Sequence, residues 1–487
     1  MQLTKLLRRL DKERFATYPI AIDISSLCSD SKKVIEGSLF VAINGTKSKG
    51  RDFIMEAIEK GAACVITPRD EAVPLSAKVP YVSVTDTRYA LFLLADEFYG
   101  HPSGKIKVIG VTGTNGKTTI TYLIRHILNE VNFSSGIIGT IQYSFKNTLL
   151  PAPNTTPGPI ELQSLLARMA DAGCQYCIME VSSHGLEQQR TGAIDFKAAI
   201  FTNLTQDHLD YHQNLENYFQ AKARLFTMLP SDSYAIINAD CPFGRRLIPL
   251  TQGKVITYGI TSAATLKAHD LSLSLEGSEF VVEAQGSQVA MKTSLIGKHN
   301  VLNILASIAF ALTQGIKIAD IQKAMESFEG VPGRLQRLEC DQKNIYVDYA
   351  HTPDALENVL GILRALSKEN LTVVFGCGGE RDCKKRPLMG QVAEKYADRI
   401  IITSDNPRSE NPEQIAKDIA SGLQQKRYEI ILDRREAIRQ AIVKSHAHDI
   451  ILIAGKGHEN YQIFKDKRIE FDDIMVAAEY VKQRGKE

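Results

Sequence analysis

The sequence predicts an α/β protein of three domains, whose central domain is a doubly wound, mostly parallel sheet with a phosphate-binding loop. Its 487 residues are too many for a single hydrophobic core. Apolar strand-like runs alternate with stretches of helical periodicity along most of the chain, a pattern typical of parallel sheets covered by helices. Hydrophobic residues make up 44% of the chain and charged residues 23%, the balance of an ordinary soluble globular protein.

The first predicted domain, residues 1–102, is a smaller α/β domain. The stretches SLFVAIN, FIMEAIEKGAACVIT and YVSVTD alternate between strand-like and helix-like patterns, and they contain no phosphate loop. The segment HPSGK that follows carries Pro and Gly and is interpreted as a linker.

The central domain is predicted for residues 103–331 and a C-terminal Rossmann-like α/β domain for residues 332–487. In the central domain, the strand-like runs IKVIGVT, QYCIMEV, AAIFTNL and SYAIINA alternate with helical stretches. Right-handed crossovers would bring the loops after these strands to one edge of the sheet. The segment VPGR marks the second boundary, and NIYVDYA, LTVVFGC, RIIITSD and DIILIAG predict a second α/β sheet.

Charge and composition exclude several classes of protein. Lys plus Arg (58) nearly balances Asp plus Glu (56), so the net charge of +2 argues against a nucleic-acid binder with a broad basic surface. No apolar stretch reaches transmembrane length, and the charged start of the chain does not resemble a signal peptide. The eight scattered cysteines are interpreted as thiols of a cytoplasmic protein, with Cys174 and Cys177 buried rather than metal-binding.

The segment GVTGTNGKTT is predicted to be a phosphate loop although Val111 stands where the usual spacing requires glycine. The loop follows a strand and opens a helix, and backbone N–H groups at a helix start attract phosphate. The Lys117 ammonium would reach the outer phosphates, and the Thr118 hydroxyl would ligate Mg²⁺. The predicted ATP-binding residues of this loop are Gly113, Thr114, Asn115, Gly116, Lys117, Thr118 and Thr119.

Acidic and histidine side chains follow two further strands of the same predicted sheet. Glu180 ends the strand-like run YCIMEV, at a position where P-loop proteins commonly hold Mg²⁺. A second polar cluster, which includes Asp207, His208 and His212, follows the strand AAIFTNL. Their placement at the expected sheet edge favours a role in the nucleotide site.

Several long segments resemble the Mur ligases of bacterial cell-wall synthesis. The matching segments are GTNGKTT, MEVSSHGL, TNLTQDHLDYH, YFQAKARLF and VDYAHTPDAL, with SDSKKV near the start and GKGHE near the end. They occur in the family's order over nearly the whole chain, and the irregular phosphate loop is this family's own variant. The resemblance implies three domains that bind, in order, a UDP-linked substrate, ATP and an amino acid.

The resemblance also implies a reaction and its cofactors, ATP and Mg²⁺. ATP would phosphorylate the free glutamate carboxylate of UDP-N-acetylmuramoyl-L-alanyl-D-glutamate, and the amine of the incoming amino acid would attack the acyl phosphate. Lys117, Glu180, His208 and Lys222 are the implied catalytic residues. Thr118, Glu180 and His208 are implied metal ligands, joined by Lys222 as a carbamate (N6-carboxylysine), because a free ammonium would repel the cation. The enzyme is expected to act as a monomer.

Further site residues follow from the same resemblance. Asn300, Arg334 and Asp348 match nucleotide-contacting positions. The positions that match contacts to the UDP-linked substrate are Ser31, Asn154, Thr155, Thr156, Ser182, Gln188 and Arg190. The polar turn NTTP and the Arg190 guanidinium suit a ligand rich in amides and carboxylates.

The C-terminal domain is predicted to select meso-2,6-diaminopimelate over L-lysine. The segment DNPR, at the end of the strand RIIITS, resembles the motif of the diaminopimelate-adding branch of the family. Diaminopimelate has one more carboxylate than lysine, and the Arg408 guanidinium would pair with it in bidentate fashion. Asn411 and Pro412 are predicted to cap the next helix. The implied amino-acid-binding residues are Arg381, Asp405, Asn406, Pro407, Arg408, Gly455 and Glu459.

Four alternatives remain open at this point. The same ligase could add L-lysine, and a folylpolyglutamate synthase shares the acyl phosphate chemistry but does not predict the DNPR and GKGHE segments. A P-loop ATPase without ligase activity would leave the C-terminal motifs unexplained. A scaffold that binds nucleotide without catalysis is disfavoured by the intact set of charged residues around the phosphate loop.

Overall fold

A computed structural model describes residues 1–10, 21–45, 48–69, 79–284, 286–338, 340, 343–424, 428–465 and 467–484. The chain divides into two units, Met1–Lys267 with Leu302–Ile321 and Ala268–Val301 with Gln322–Glu487. The α/β fold class is confirmed, whereas the domain boundaries at residues 102 and 331 stay predictions.

The N-terminal part of the first unit forms a small parallel sheet of its own, in the order β1-β2-β3-β4. Leu39, Val41 and Ile66 are buried in one apolar cluster of this sheet, whereas Phe40 and Val65 are buried in another. Alternate residues of a strand point to opposite faces, so both faces of this sheet are covered. The elements are α1 (Leu3–Leu7), β1 (Ser26–Cys28), β2 (Ser38–Val41), α2 (Ile54–Glu59), β3 (Ala62–Pro68), β4 (Tyr81–Val84) and α3 (Thr87–Phe98).

The central sheet has the order β12-β11-β10-β5-β9-β6-β7-β8. Its first six strands in that order run parallel, and the short β7 and β8 are antiparallel additions at one edge. The elements are β5 (Lys107–Thr112), α4 (Lys117–Glu130), β6 (Ser135–Ile138), β7 (Gln142–Phe145), β8 (Thr148–Pro151), α5 (Pro159–Asp171), β9 (Tyr176–Glu180), α6 (Ser183–Glu187), β10 (Phe196–Phe201), α7 (Leu209–His212), α8 (Leu215–Thr227), β11 (Tyr234–Asn238), α9 (Pro242–Leu247) and β12 (Lys254–Gly259).

Strand order in this sheet determines where a ligand would bind. The chain continues from β5 to β6 and β9 on one side, and then crosses β5 to build β10, β11 and β12 on the other. In open parallel sheets, ligands usually bind in a crevice beside such a reversal of strand order. This crevice lies at the carboxyl ends of the strands. The loops after β5, β9 and β10 meet at that edge, as the sequence predicts.

The remaining elements include strands that the sequence patterns did not predict. Strand β13 begins in register with β12, and β14 and β15 form an antiparallel hairpin. The elements are β13 (Leu266–Leu273), β14 (Ser278–Ala284), β15 (Ser287–Thr293), α10 (Lys298–Thr313), α11 (Ile318–Glu326), β16 (Gln336–Leu338), β17 (Asn344–Asp348), α12 (Pro353–Leu366), β18 (Leu371–Phe375), α13 (Lys385–Tyr396), β19 (Arg399–Ile402), α14 (Pro412–Ala420), β20 (Tyr428–Ile430), α15 (Arg434–Lys444), β21 (Ile450–Ala454), β22 (Tyr461–Phe464), β23 (Lys467–Glu470) and α16 (Asp473–Arg484).

The C-terminal sheet of the second unit has the order β16-β17-β21-β18-β19-β20, and only β16 is antiparallel. On one face, Val373 and Leu452 pack in a cluster with residues of α12, α13 and α14. On the other face, Val374 and Ile453 pack with residues of α15 and α16. This double covering explains why the strands are continuous apolar runs in the sequence.

The start of α14 confirms the predicted cap. The Asn411 side chain accepts a hydrogen bond from the backbone N–H of Glu413 at 2.8 Å, and Pro412 occupies the first helical position. Proline is favoured there because it has no N–H to leave unpaired. The cap fixes the end of the loop that carries Arg408. Within the part of the chain that the structure describes, no helix has the length and hydropathy needed to span a bilayer.

Candidate active site

The phosphate loop is a tight turn from β5 into α4 that requires glycine at two positions. Gly113 and Gly116 have φ angles of 149° and 89°, which side chains rarely adopt. A Cβ at Gly113 would overlap the hydroxyl of Thr202, and one at Gly116 would overlap the amide oxygen of Asn303. The loop backbone is therefore held close to its neighbours.

The loop after β10 supports the phosphate loop directly. The Thr202 hydroxyl donates to the Asn115 carbonyl at 2.6 Å, and the Asn203 amide oxygen accepts from the Asn115 N–H at 3.0 Å. The Thr114 hydroxyl accepts a hydrogen bond from the Thr205 N–H at 3.0 Å. These bonds connect the carboxyl ends of two adjacent strands, which holds the nucleotide loop in a defined shape before any ligand arrives.

Two lysines converge on the same loop carbonyl. The Lys117 ammonium donates to the carbonyls of Gly113 and Thr114 at 3.0 and 2.8 Å, and the Lys222 ammonium donates to that of Gly113 at 2.9 Å. Lys222 is buried and lies 4.3 Å from the centre of the Tyr218 ring. Burial, reinforced by the positive charge of Lys117, holds the pKa of Lys222 well below its ordinary value. A buried lysine of this kind is neutral more often than a surface lysine and is therefore nucleophilic.

Glu180 is held at the end of β9 by three hydrogen bonds to its carboxylate. The Thr118 hydroxyl and the Thr140 N–H donate to Oε1 at 3.0 and 2.8 Å, and the Thr140 hydroxyl donates to Oε2 at 3.0 Å. The carboxylate is almost fully buried. A buried carboxylate in contact with the first-turn threonine of the phosphate loop matches the donor set that Mg²⁺ prefers, so these residues fit the predicted cation.

His208 lies in the loop after β10 with a left-handed backbone, at φ 52°. Its Nε2 is 3.5 Å from the carboxylate of Asp207, and its ring centre is 5.0 Å from that of His184. The structure thus brings Thr118 and Glu180 into contact, whereas His208 lies in a neighbouring cluster of aromatic rings. Among the described residues, no group of three His, Cys, Asp or Glu side chains is arranged to hold a metal by itself.

Four of the residues predicted for the UDP-linked substrate, Thr156, Ser182, Gln188 and Arg190, form a connected group beside Glu180. The buried Thr156 hydroxyl donates to the Glu180 backbone carbonyl and accepts from the Ser182 N–H, both at 2.9 Å. The Arg190 guanidinium donates to the Thr156 carbonyl at 2.6 Å and, through two N–H groups, to the Gln188 side chain. The NTTP turn and the segment after β9 therefore form one polar surface next to the phosphate loop.

The other three residues predicted to contact the substrate make different hydrogen bonds. The Thr155 hydroxyl is 3.0 Å from that of Thr140, and the Asn154 carbonyl accepts from the Tyr143 hydroxyl at 2.6 Å. Ser31 follows β1 in the N-terminal sheet, where its hydroxyl donates to the Glu56 carboxylate at 2.7 Å. Ser31 thus sits apart from the surface around Glu180.

In the second unit, the three residues predicted to contact the nucleotide are anchored by their own neighbours. The Asp348 carboxylate accepts from the backbone N–H groups of Leu335 and Ala350 at 2.6 and 2.8 Å. Burial raises the pKa of Asp348, an effect that the Arg334 guanidinium opposes. The Arg334 guanidinium lies 4.9 Å from the centre of the Tyr349 ring. The Asn300 amide donates to the Ile296 carbonyl at 3.0 Å.

The loop after β19 holds Arg408 with a left-handed backbone, at φ 52°. Its backbone N–H donates to the Ile463 carbonyl at 3.0 Å, and its carbonyl accepts from the Lys465 N–H at 2.7 Å. The β22–β23 hairpin therefore holds the backbone of Arg408 in place. One guanidinium N–H group donates to the Gly379 carbonyl at 2.6 Å. Pro407, next to it, is buried, and Arg381 on the loop after β18 is exposed.

Three residues that sequence reasoning did not select are central to this site. Arg386, almost fully buried, pairs with Glu410 and Asp418 at 2.7 and 2.9 Å and so braces the loops around Arg381 and Arg408. Lys456 is fully buried and contacts Asp405 and Glu459. His458 stacks against Tyr349 at a ring distance of 4.9 Å. Two of these, Lys456 and His458, lie within GKGHE, so this motif was the signal in the sequence that could have indicated them.

Burial of His458 predicts a pH dependence of stability. Burial, with the positive charges of Arg334 and His351 adding to it, lowers the pKa of His458 to about 4. In the unfolded chain a histidine titrates near pH 6.5, so between these values only the unfolded state binds the proton. Stability should fall as the pH falls through this window, by up to about 3 kcal/mol.

Chemical denaturation at a series of pH values measures this effect. The His458→Gln variant is expected to lose less stability than the wild type on going from neutral to acidic pH. His446→Gln, at an exposed histidine, is the matched control and should keep the wild-type slope. Equal slopes for wild type and His458→Gln would contradict the prediction.

Taken together, the geometry defines a class of protein: an α/β protein with a phosphate loop beside a polar surface, and with a separate cluster of charged side chains on a second α/β sheet. The family follows from comparison with known proteins. Residues 111–311 match the Mur ligase middle domain, residues 333–457 the Mur ligase glutamate ligase domain, and residues 23–99 the Mur ligase family catalytic domain. The chain belongs to the Mur ligase family.

Individual relatives cover the full length of the chain. A UDP-N-acetylmuramoyl-L-alanyl-D-glutamate–2,6-diaminopimelate ligase of Syntrophomonas wolfei subsp. wolfei is 45% identical over 492 aligned residues, covering 100% of both chains. A solved structure with the same protein name has 35% identity and a TM-score of 0.73, again over 100% of both chains. The MurF ligase from Thermotoga maritima in complex with ADP shares the fold, with 20% identity, a TM-score of 0.62 and coverage of 95% and 99%.

Proposed function

We propose that this protein is an ATP-dependent ligase that joins meso-2,6-diaminopimelate to the D-glutamate carboxylate of UDP-N-acetylmuramoyl-L-alanyl-D-glutamate during peptidoglycan precursor synthesis. The observation that carries the proposal is the contact between two predicted sites. Thr156, a predicted substrate contact, bonds directly to the backbone of Glu180, whose carboxylate bonds to Thr118 of the phosphate loop. A simple ATPase has no need for an acceptor surface in that position. The named relatives, which are similar to this chain over their full length, agree with the proposed ligase function.

The chain's own residues explain how two anions could react at this site. A carboxylate is a poor electrophile, and its reaction with ATP requires cationic groups that offset the repulsion between the two anions. Lys117 would turn from its loop carbonyls to the outer phosphates when the nucleotide binds. Arg190, already anchored to Gln188 and Thr156, would orient carboxylate or amide groups of the acceptor.

Mg²⁺ is part of this proposal. Thr118 and Glu180 would hold it, with His208 and carbamylated Lys222 as further ligands. When bound, the cation would stabilise negative charge on the reacting phosphate. The residues supply only part of a coordination shell, as expected for Mg²⁺, which usually keeps waters and substrate phosphates as ligands.

Carbamylation of Lys222 gives a testable dependence on carbon dioxide. Its buried amine, with a lowered pKa, would attack CO₂ to form the N–C bond of an anionic carbamate and would release one N–H proton, whereas a protonated ammonium would not react. Removal of dissolved CO₂ and bicarbonate should reduce product formation to a small fraction, and added bicarbonate should restore it. Lys222→Ala should be inactive under both conditions. Wild-type activity that is independent of CO₂ would contradict the assignment.

In the second unit, the proposed amino-acid site combines an arginine with an acidic pair. Arg408 would pair with the carboxylate that distinguishes diaminopimelate from lysine. Glu459 would accept the distal ammonium, beside Asp405, Asn406 and Gly455. We further propose that the enzyme acts in the cytoplasm, since ATP and UDP-linked precursors are its substrates, and that it acts as a monomer.

A phosphate-release assay separates the ligase from a simple ATPase. Purified protein with Mg²⁺ and ATP should release phosphate rapidly only when both the UDP-linked acceptor and diaminopimelate are present. Each molecule of phosphate should accompany one molecule of peptide product. Rapid phosphate release without either acceptor would favour the ATPase instead.

A further inference from the structure

A fully buried lysine connects three of the residues predicted to bind the amino acid. The Lys456 ammonium, whose side chain is 0% exposed, lies 3.3 Å from Asp405 Oδ1, 3.2 Å from Asn406 Oδ1 and 3.3 Å from Glu459 Oε2. An ammonium has three N–H groups, and three acceptors surround this one. Lys456 is thus engaged with the protein rather than free to bind a ligand carboxylate.

The same contacts fix the orientation of Glu459. Its Oε2 accepts from Lys456 and also from the Asn406 amide N–H group at 2.9 Å. The Asn406 amide oxygen is in turn held by the backbone N–H of Ile463 at 3.1 Å. Glu459 Oε1 receives no hydrogen bond from the described residues, and the side chain is 19% exposed. One oxygen is anchored, and the other is available to a ligand.

The charges around Lys456 leave one surplus negative charge. Asp405 and Glu459 each contribute a negative charge, and Lys456 contributes one positive charge. Arg434, behind this cluster, is neutralised by a fully buried bidentate pair with Asp473 at 2.7 Å. The Tyr461 ring covers Lys456 at 5.5 Å. The surplus applies to the direct contacts of Lys456 only, because Arg468 lies 3.9 Å from the centre of the same Tyr461 ring and Arg408 is near it. At those contacts, one negative charge is left for a cationic group such as the ammonium of an amino acid.

We propose that Lys456 is the positioning residue of the amino-acid site, which holds the side chains of Asp405 and Glu459 in place and aims the free oxygen of Glu459 at the ammonium of the incoming amino acid. The inference deepens the proposed function and rests on it. Without the lysine, the two side chains would lose the cation that they share, and Glu459 would no longer be held in one orientation. Binding of diaminopimelate would then suffer before any other step.

Steady-state kinetics of Lys456→Met test the inference. The KM for diaminopimelate is expected to rise by about 10²-fold, whereas kcat and the KM values for ATP and the UDP-linked acceptor stay within about twofold of wild type. Lys417→Met, at an exposed lysine of α14, is the matched control and should leave all constants unchanged. An unchanged KM for diaminopimelate in a folded Lys456→Met protein would overturn the proposal.

The split between KM and kcat provides a readout that a merely structural lysine would not change. If Lys456→Met does not fold, Lys456→Gln, which retains a hydrogen-bond donor but no charge, is expected to show a rise in the KM for diaminopimelate alone. A folded variant that loses kcat while its KM for diaminopimelate stays at the wild-type value would overturn the proposal.

The outcomes also separate this inference from the proposed function. A wild-type protein that forms no product from diaminopimelate defeats the proposed function, whatever Lys456 does. An active wild type whose folded Lys456 variants lose kcat but keep the wild-type KM for diaminopimelate defeats the inference alone.

Discussion

Replacing Lys117 with methionine is expected to lower product formation by about 10³-fold, because the change removes the cation that would offset repulsion between the phosphate and the acceptor carboxylate. In the structure the Lys117 ammonium is bonded to two carbonyls of its own loop, beside the helix start where phosphate would bind. Methionine has nearly the same length but no charge, so the loop should keep its shape. The loss should appear in the rate of phosphate release as well as in product.

Steady-state phosphate release with all three substrates measures this effect. Lys254→Met, at the exposed start of β12, is the matched control and should retain wild-type rates. A loss of less than about 10-fold in Lys117→Met would contradict the role of Lys117 as the phosphate-binding cation.

Replacing Arg408 with methionine is expected to lower kcat/KM for diaminopimelate by about 10²- to 10³-fold, whereas kcat/KM for L-lysine should stay the same or rise slightly. The wild-type guanidinium would form two parallel hydrogen bonds with the distal carboxylate, and lysine has no group at that position. The hairpin β22–β23 holds the backbone of residue 408 on both sides, so the side chain can change without loss of the loop. Arg408 is therefore expected to act on discrimination between the two amino acids.

Two further variants sharpen the test. Arg408→Lys retains the charge but not the planar fork, so its loss for diaminopimelate should be intermediate. Arg435→Met removes an exposed arginine that pairs with Glu479, and it should not alter either substrate. Equal losses for diaminopimelate and lysine in Arg408→Met would show that the residue supports the fold and not the selection.

The parts of the fold that the sequence predicts are those with a strong periodic signal. Strands such as β9, β18 and β21 are buried on both faces and appear as continuous apolar runs bounded by turns. The turn from β5 into α4 was predictable because its glycines and its lysine are required by the backbone and by the phosphate chemistry. The hairpins β14–β15 and β22–β23 were not predicted, since their strands are partly exposed and rich in polar residues.

The residues of the candidate site also fall into two groups, those that the sequence predicts and those that it does not. Glu180 was predictable because it ends a buried strand at the edge where the phosphate loop lies. Lys456 and Arg386 were not, because a charged residue in a loop or at a helix start is usually solvated, and only tertiary packing buries it. Two of their partners, Asp405 and Glu410, come from segments distant in the chain, whereas Glu459 lies only three residues after Lys456.

Mass spectrometry of the reaction product tests the central claim most directly. Purified protein would receive Mg²⁺, ATP and UDP-N-acetylmuramoyl-L-alanyl-D-glutamate, with meso-diaminopimelate or L-lysine in parallel reactions. A product heavier by one diaminopimelate residue, with phosphate released only in that reaction, is the predicted result. A lysine product would keep the ligase but contradict the selection by Arg408, and phosphate without any peptide product would contradict the ligase itself.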